Sequence, residues 1–270
     1  AAPSAVTHYG SGPRLERHCV IGISQSGSSP DVVAVVADAR RQGALTVALT
    51  NDPASELARQ AQHVIPLEAG QELSVPASKT FLATLLALAL LSQELDPDPE
   101  LEAGLGRLPG ALEAALELEP RIQDLAAGLG TEHLVVLGRG YQLATAGELA
   151  LKLLETCYLP AQAYSTADFR HGPIAVADPG LTAILLQSAG PFQADNAQLA
   201  TELAGLGAQV AVLADGAPTE GAVAFDSGLP EALTPLPMGL AAHLLACHLA
   251  VRLGLDPDRP RTLRKITQTW

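Results

Sequence analysis

Lysine is scarce in this sequence, which has three lysines, Lys79, Lys152 and Lys265, against thirteen arginines. Arginine therefore supplies the ordinary positive charge of this chain, and a lysine that is kept indicates a need for an amine. An amine can lose its proton and attack a carbonyl, whereas a guanidinium stays protonated. We expect a chemical role for one of the three lysines and retention by chance for the others.

Basic residues as a whole are also few. The chain has 16 Lys and Arg against 29 Asp and Glu, a net charge of −13, and no block of basic residues. Nucleic acid and anionic membranes both require a positively charged protein surface. The composition therefore argues against both as partners, and an anionic substrate would have to be held by local hydrogen-bond donors.

Long apolar segments and paired cysteines are lacking too. The longest apolar run, residues 81–91, is too short to cross a bilayer and predicts a buried helix. The opening residues show no charged region followed by an apolar stretch, so we predict no secretion signal. The three cysteines are odd in number and widely spaced in apolar surroundings, which indicates reduced thiols and predicts a cytoplasmic protein; they are Cys19, Cys157 and Cys247.

Residues 18–43 have the pattern of a strand, a polar loop and a helix. In the loop, Ser29 suits the helix N-cap and Pro30 the first helical turn. Hydroxyl groups and free backbone N–H groups at a helix N-terminus can bind a phosphate, although any strand-to-helix turn favours Ser and Gly. The candidate phosphate-binding residues are Ser24, Gln25, Ser26 and Ser29.

Strands and helices alternate along the rest of the chain. After the first helix the pattern predicts a strand at 44–49, a helix at 54–61 and a strand at 63–66, then a long helix that Pro76 opens and that ends near Leu95. Further on it predicts a helix at 110–129, a strand at 133–137, and helices at 143–158 and 236–253. This alternation indicates parallel sheets covered by helices, with ligands at the carboxyl ends of the strands.

A weak internal repeat divides the chain into two similar halves. Residues 20–51 align with residues 183–215, and the second copy has lost two of the loop serines, so we expect one phosphate site, in the first half. The acidic, proline-containing stretch 96–100 suits the start of a connection. We therefore predict a first half at residues 1–100, a second half at 101–255 and a tail at 256–270.

A dinucleotide site is not predicted. Gly138-Arg139-Gly140 follows a strand, but Leu143 occupies the position of the third glycine that close helix packing requires. We expect neither a cofactor nor a metal.

The loop motif Ser-Gln-Ser-Gly-x-Ser-x-Asp of residues 24–31 resembles the phosphate loop of the sugar isomerase (SIS) family, and the similarity extends over nearly the whole chain. It is similar in particular to the isomerase domain of glucosamine-6-phosphate synthase and to stand-alone SIS-type glucosamine-6-phosphate deaminases. The resemblance implies two flavodoxin-like, doubly wound α/β/α halves with parallel sheets. The family's preceding strand and Gly-Thr-Ser loop are absent here, so we expect the chain to lack an N-terminal segment.

Two later motifs carry the catalytic residues that the resemblance implies. Glu148, Lys152 and Glu155 share one helix face, which alone would fit a solvated salt-bridged stripe. Ala-Leu-Lys-x-x-Glu of residues 150–155 resembles the family motif, however, and implies that Glu155 moves the proton between C1 and C2. His171-Gly-Pro resembles the family's ring-opening histidine, which acts from the neighbouring subunit, and so implies a homodimer.

The C-terminal residues 260–267, Pro-Arg-Thr-Leu-Arg-Lys-Ile-Thr, resemble the family's catalytic tail. The resemblance implies that Lys265 forms a Schiff base with the ketose carbonyl, whereas a structural Lys265 would be a solvated charge. Lys79 is expected to pair with an acid. Weaker sugar contacts are assigned to Glu72, Val75, Lys152 and Arg264. Ala77 stands where the family has Ser or a similar small residue, so we do not expect a hydroxyl contact there.

The resulting hypothesis is an aldose–ketose isomerase of a hexose 6-phosphate. Because no glutaminase domain is visible, we favour conversion of glucosamine 6-phosphate to fructose 6-phosphate and ammonia. Two alternatives remain open. One is an isomerase of the glucosamine–fructose-6-phosphate aminotransferase type without a glutaminase domain, and the other is a non-catalytic sugar-phosphate sensor.

Overall fold

The computed structural model describes residues 3–216, 221–263 and 265. The chain divides into two compact units, the first comprising Ala1–Leu90 with Arg261–Trp270 and the second Leu91–Pro260. Helix α4 (Lys79–Leu95) includes the boundary between them. The boundary after Leu90 lies ten residues before the one predicted from the sequence, after residue 100. The boundary after Pro260 lies five residues beyond the one predicted, after residue 255.

The first unit contains a three-stranded parallel sheet in the order β1-β2-β3. In register, Ile21 lies beside Val47, and Val47 lies beside His63. The elements before α4 are α1 (Ser4–Thr7), β1 (Cys19–Ile23), α2 (Pro30–Arg41), β2 (Leu45–Thr50), α3 (Glu56–Gln60) and β3 (His63–Pro66).

Helix α2 packs directly on β1 because a glycine faces it. A Cβ atom at Gly22 would lie 2.6 Å from Val36 Cγ2 and 3.0 Å from Leu57 Cδ1, so only glycine permits this approach. On the opposite face of β1, the side chains of Ile21 and Ile23 are exposed. Helices α2 and α3 therefore form a small core with one face of this sheet.

Helix α4 begins at Lys79, three residues after Pro76, which the sequence placed at its start. The physical reason is the carboxylate of Glu72, whose Oε1 accepts hydrogen bonds from Ser78 N at 2.8 Å and Thr80 N at 3.3 Å. These are N–H groups at the start of the helix, which have no partner within it. The side chain of Glu72, six residues upstream of Ser78, thus caps the helix and fixes its first turn.

The second unit contains a five-stranded parallel sheet in the order β5-β4-β6-β7-β8. Every residue of β6 is buried, as expected for a central parallel strand. The elements after α4 are α5 (Pro99–Leu116), α6 (Glu119–Gly128), β4 (His133–Gly138), α7 (Gln142–Cys157), β5 (Ala161–Ser165), α8 (Thr166–Arg170), β6 (Leu181–Ser188), α9 (Gln193–Gly205), β7 (Gln209–Asp215), β8 (Val223–Phe225) and α10 (Pro235–Arg252), with short 3₁₀ turns at Pro173–Val176 and Glu231–Leu233.

Alternate residues of the strands build two separate cores in this unit. On β4, Leu134 and Val136 pack with α7, α10 and α6, whereas Val135 and Leu137 pack with α8 and α9. The second unit is thus a three-layer α/β/α structure. The predicted α/β class, with a parallel sheet in each half, is confirmed.

The region between the halves differs from the prediction in its helices. Residues 96–98 of the acidic stretch form a short non-helical link between α4 and α5. At its end the carboxylate of Asp98 accepts a hydrogen bond from Glu100 N at 2.8 Å, and Pro99 occupies the first turn of α5. The single helix expected at 110–129 is two helices, since α5 ends at Leu116 and α6 starts at Glu119 with Pro120 in its first turn.

Helix α10 is the one described helix that is long and apolar enough, by length and composition, to cross a membrane. An 18-residue window within Glu231–Arg252 has a mean hydropathy of 1.3, and 67% of that window is buried within the protein. Leu245 and Leu249, for example, are fully buried. This pattern is that of a core helix.

Candidate active site

The serine-rich loop follows β1 at the carboxyl end of the first sheet and is held in a tight turn by its own groups. Gly27 N donates to Ser24 Oγ at 3.2 Å, and Ser28 N donates to Ser26 Oγ at 3.3 Å. Gly27 has φ +61°, and a Cβ atom there would lie 2.1 Å from Ser55 Oγ. The loop conformation therefore requires glycine at position 27.

A cavity of about 290 Å³ lies against this loop. Gln25 and Ser26 line it, whereas Ser24 and Ser29 belong to the loop without lining the cavity. Phosphate binding by these four residues stays a prediction. The volume of the cavity is close to the lower end of the range of small-ligand pockets. The full lining set is Gln25, Ser26, Ser28, Asn51, Asp52, Gln71, Glu72 and Lys265.

Lys265, from the end of the chain, lines the same cavity. Its Nζ donates to Ser74 O at 2.7 Å and lies 3.4 Å from Glu72 Oε2. The alternative of a freely solvated tail lysine does not fit this geometry, because the side chain is 29% exposed and its partner Glu72 is 2% exposed. The serine-rich loop and the side-chain amine of Lys265, which are more than 200 residues apart in the sequence, thus line one cavity in the first unit.

Glu72 is the anionic partner that fixes this amine. Burial would raise the pKa of the Glu72 carboxyl, but the hydrogen bonds from Thr80 and from the Ser78 backbone, together with the charge of Lys265, outweigh it and lower the pKa. The bond from Thr80 Oγ1 is 2.6 Å long. Glu72 therefore remains a carboxylate beside the Lys265 ammonium.

In the second unit, the shared face of α7 is a buried ionic cluster. Lys152 Nζ donates to Glu155 Oε2 at 2.5 Å and lies 3.7 Å from Glu148 Oε1. The side chains of Lys152 and Glu148 are 6% and 9% exposed, so the solvated stripe considered from the sequence is not what forms. His243, on α10, adds a further contact at 2.8 Å from its Nε2 to Glu148 Oε1.

Four further residues singled out from the sequence are His171, Val75, Lys79 and Arg264. His171 is an exposed residue at the end of α8 in the second unit, and Val75 is a half-buried residue beside Ser74 in the first. Lys79 Nζ donates to the Gln71 carbonyl at 2.9 Å, a structural contact, although to a carbonyl rather than to the acid expected. Arg264 lies outside the described residues.

At the carboxyl end of the second sheet, side chains of the protein itself pack against the loops. Arg139 pairs with Asp195 at 2.5 Å and lies over the Phe192 ring, 4.5 Å from its centroid. A Cβ atom at Gly190 would lie 3.0 Å from the carboxyl carbon of Glu231. A carboxylate beside the loop that contains Gly190 disfavours an anion there, and the expectation of one phosphate site stays a prediction.

No group of three or more His, Cys, Asp or Glu side chains suited to a metal ion occurs in the part of the chain that the structure describes.

The fold and these motifs define the class of protein. Residues 8–92 and 130–226, more than half of the chain, match the family model described as the SIS domain. The chain belongs to the SIS domain family, and the family resemblance seen in its loop motif is confirmed.

Among curated relatives, the chain is similar to glutamine–fructose-6-phosphate aminotransferases (isomerizing). It is 33% identical to that of Methanothermobacter thermautotrophicus over 264 residues, which covers 95% of this chain and 44% of the relative. It is 35% identical to that of Gloeobacter violaceus over 272 residues, covering 94% and 44%. The chain thus spans less than half the length of these relatives.

Solved structures share the same fold. A protein of Silicibacter pomeroyi, provisionally described as a phosphosugar isomerase, is 39% identical with a TM-score of 0.84, covering 96% of this chain and 79% of that one. The glucosamine-6-phosphate deaminase of Thermotoga maritima matches with a TM-score of 0.81 at 23% identity, covering 99% and 80%. At that identity the second match shows the fold alone.

Proposed function

We propose that this chain is the isomerase of a hexose 6-phosphate, and that its reaction is the deamination of glucosamine 6-phosphate to fructose 6-phosphate and ammonia. The observation that carries the proposal is that Lys265 lines the same cavity as Gln25 and Ser26. A loop that offers hydroxyl, amide and backbone donors suits a phosphate, and an amine in the same cavity suits a carbonyl.

In the proposed mechanism, the loop holds the 6-phosphate and His171 of a neighbouring subunit moves the ring-oxygen proton that opens the sugar. Lys265 Nζ, once deprotonated, adds to the C2 carbonyl of the ketose, and loss of water gives an imine. Protonation of that imine acidifies the C1 hydrogen. In the amino-sugar direction, the C2 proton of the ring-opened aldose moves to C1, which leaves an imine at C2. Lys265 adds to this imine and ammonia leaves, and water then hydrolyses the lysine imine to release the ketose.

Glu155 is the base that carries the proton between C1 and C2 in this proposal. A carboxylate can accept a proton from one carbon and return it to the next. The buried side chain of Lys152 supports this role, because its Nζ lies 2.5 Å from Glu155 Oε2 and orients the carboxylate.

The test is to mix the protein with glucosamine 6-phosphate and to assay ammonia and fructose 6-phosphate. Equal release of both products is expected, and the variant Lys265→Arg, which keeps the charge but cannot form the imine, should release neither. Interconversion of fructose 6-phosphate and glucose 6-phosphate without ammonia release would instead favour the isomerase of aminotransferase type. Binding of the sugar phosphate without turnover would favour a sensor.

The aminotransferase-type alternative has its own support, since the curated relatives that are 33% and 35% identical carry that name. The buried charged cluster of α7 disfavours the sensor, because a binding module has no need for Glu148, Lys152 and Glu155 at such close distances.

The proposal includes a cytoplasmic homodimer in which each active site takes His171 from the partner subunit. Mixing the inactive variants His171→Ala and Lys265→Arg should restore part of the activity, because mixed dimers would contain one intact site. Absence of any recovery, with subunit exchange demonstrated, would place both residues in one subunit.

A further inference from the structure

His243 contacts the charged cluster of α7 from a different helix. Its Nε2 lies 2.8 Å from Glu148 Oε1, and the two side chains are 11% and 9% exposed. An ionised carboxylate has acceptors only, so the imidazole donates through Nε2 in this bond. Helix α10 thus supplies a hydrogen-bond donor to a carboxylate that also lies near the side chain of Lys152.

The ammonium of Lys152 is shared unequally between two carboxylates. It lies 2.5 Å from Glu155 but 3.7 Å from Glu148, and the Glu148 atom at that distance is Oε1, the same oxygen that His243 contacts. The longer distance is an ion pair without a hydrogen bond. The donor from α10 therefore occupies the oxygen that would otherwise compete for Lys152.

We infer that His243 is a positioning residue that keeps the Lys152 ammonium on Glu155 by engaging Glu148. This inference rests on the proposed function, in which Glu155 is the base. Without the imidazole donor, the buried Glu148 oxygen would draw Lys152 toward itself, since leaving a buried carboxylate oxygen without its hydrogen bond is costly. Glu155 would then lose part of the contact that orients it for proton transfer.

The test compares two variants that differ in the donor. His243→Leu removes it, whereas His243→Gln places an amide N–H near the position of Nε2. For conversion of glucosamine 6-phosphate to fructose 6-phosphate and ammonia, we expect His243→Leu to lower kcat about tenfold, the factor that corresponds to one hydrogen bond. KM should stay within about twofold because the phosphate loop belongs to the first unit, and His243→Gln should recover most of kcat.

His248→Leu is the matched control. His248 lies on the same helix but contacts Glu119, at 3.2 Å, outside the α7 cluster. Its replacement should leave kcat within about twofold of the parent protein. If His243→Leu does not fold, His243→Asn, whose amide is too short to reach Glu148, replaces it in the comparison.

A second measurement separates this inference from the proposed function. In a crystal structure of the His243→Leu or His243→Asn variant, the distance from Lys152 Nζ to Glu148 should shorten from 3.7 Å to about 3 Å or less, a hydrogen bond. An unchanged distance overturns the inference, whether or not the protein is active. Loss of kcat in His243→Gln equal to that in His243→Leu also overturns it, as does an unchanged kcat in His243→Leu.

A parent protein that turns over no hexose 6-phosphate defeats the proposed function, and the crystal structure then decides the positioning role alone.

Discussion

Replacing Glu72 by Gln should destabilise the first unit in a pH-dependent way. The carboxylate accepts three hydrogen bonds, from Thr80 Oγ1 at 2.6 Å, Ser78 N at 2.8 Å and Thr80 N at 3.3 Å, and it lies 3.4 Å from the Lys265 ammonium. Hydrogen bonds to a charged acceptor contribute about 1 kcal/mol more each than neutral ones. Three such losses, offset in part by the lower cost of burying a neutral amide, give a destabilisation of about 2 kcal/mol at pH 7.

The direction of the pH dependence follows from the lowered pKa of Glu72. A carboxyl whose pKa is lower in the folded state stabilises the fold above its unfolded-state pKa, and that contribution is lost as the pH falls through the folded-state pKa. The difference in unfolding free energy between the parent protein and Glu72→Gln should therefore be greatest at neutral pH and should shrink on acidification.

The assay is urea unfolding followed by circular dichroism at a series of pH values from neutral to acidic. Glu16→Gln, the same chemical change at an exposed carboxylate of the first unit, is the control and should change the unfolding free energy by less than about 0.5 kcal/mol. Equal effects of the two substitutions, or an effect of Glu72→Gln that does not diminish at acidic pH, would refute the assignment of Glu72 as a charged anchor.

Three further predictions concern the two parts of the site. Gly27→Ala should abolish binding of inorganic phosphate in calorimetry, because φ at Gly27 is +61° and the added Cβ would lie 2.1 Å from Ser55 Oγ. Gly43→Ala, at a positive φ in open space, is the control. Equal phosphate binding by both variants would contradict the loop assignment. Glu155→Gln should lower the exchange of the C1 hydrogen of fructose 6-phosphate with solvent by about 10²-fold to 10⁴-fold in NMR, the range for loss of a general base; an exchange rate equal to that of the parent protein would remove Glu155 from the proton transfer. Thr80→Val should raise the pKa of Glu72 and weaken the first unit by about 1–2 kcal/mol, because the hydroxyl bond at 2.6 Å is lost; unfolding at pH 7 measures this, and no change would contradict it.

Much of the fold could be predicted from local patterns. The alternating strand and helix patterns predicted β3 at the residues where it occurs. They predicted both ends of β2, α7 and α10 to about one residue, which is within the usual uncertainty of such boundaries. The start of α4 was missed because Glu72, and not Pro76, caps it. The break between α5 and α6 was missed although Pro120 marked it.

The site could be predicted in part, because motifs name residues but not their neighbours. The loop and Lys265 were identified from their motifs, and the structure brings them to one cavity. Ser28 was not among the predicted site residues, although its position in the same loop could have indicated it. Asn51, Asp52 and Gln71 line the cavity only because the chain folds back after β2 and β3.

His243 shows the same limit in the second unit. Its partner Glu148 is 95 residues away in sequence, and the contact depends on the packing of α10 on α7. A histidine in an apolar helix gives no signal of that contact, so only the folded structure could reveal it.

The most direct test of the central claim is chemical trapping of the proposed imine. The protein is incubated with fructose 6-phosphate, reduced with borohydride and digested, and the peptides are identified by mass spectrometry. The account predicts a reduced hexose-phosphate adduct on Lys265 and none on Lys79 or Lys152. Absence of an adduct on Lys265, in a sample shown to bind the sugar phosphate, would contradict it.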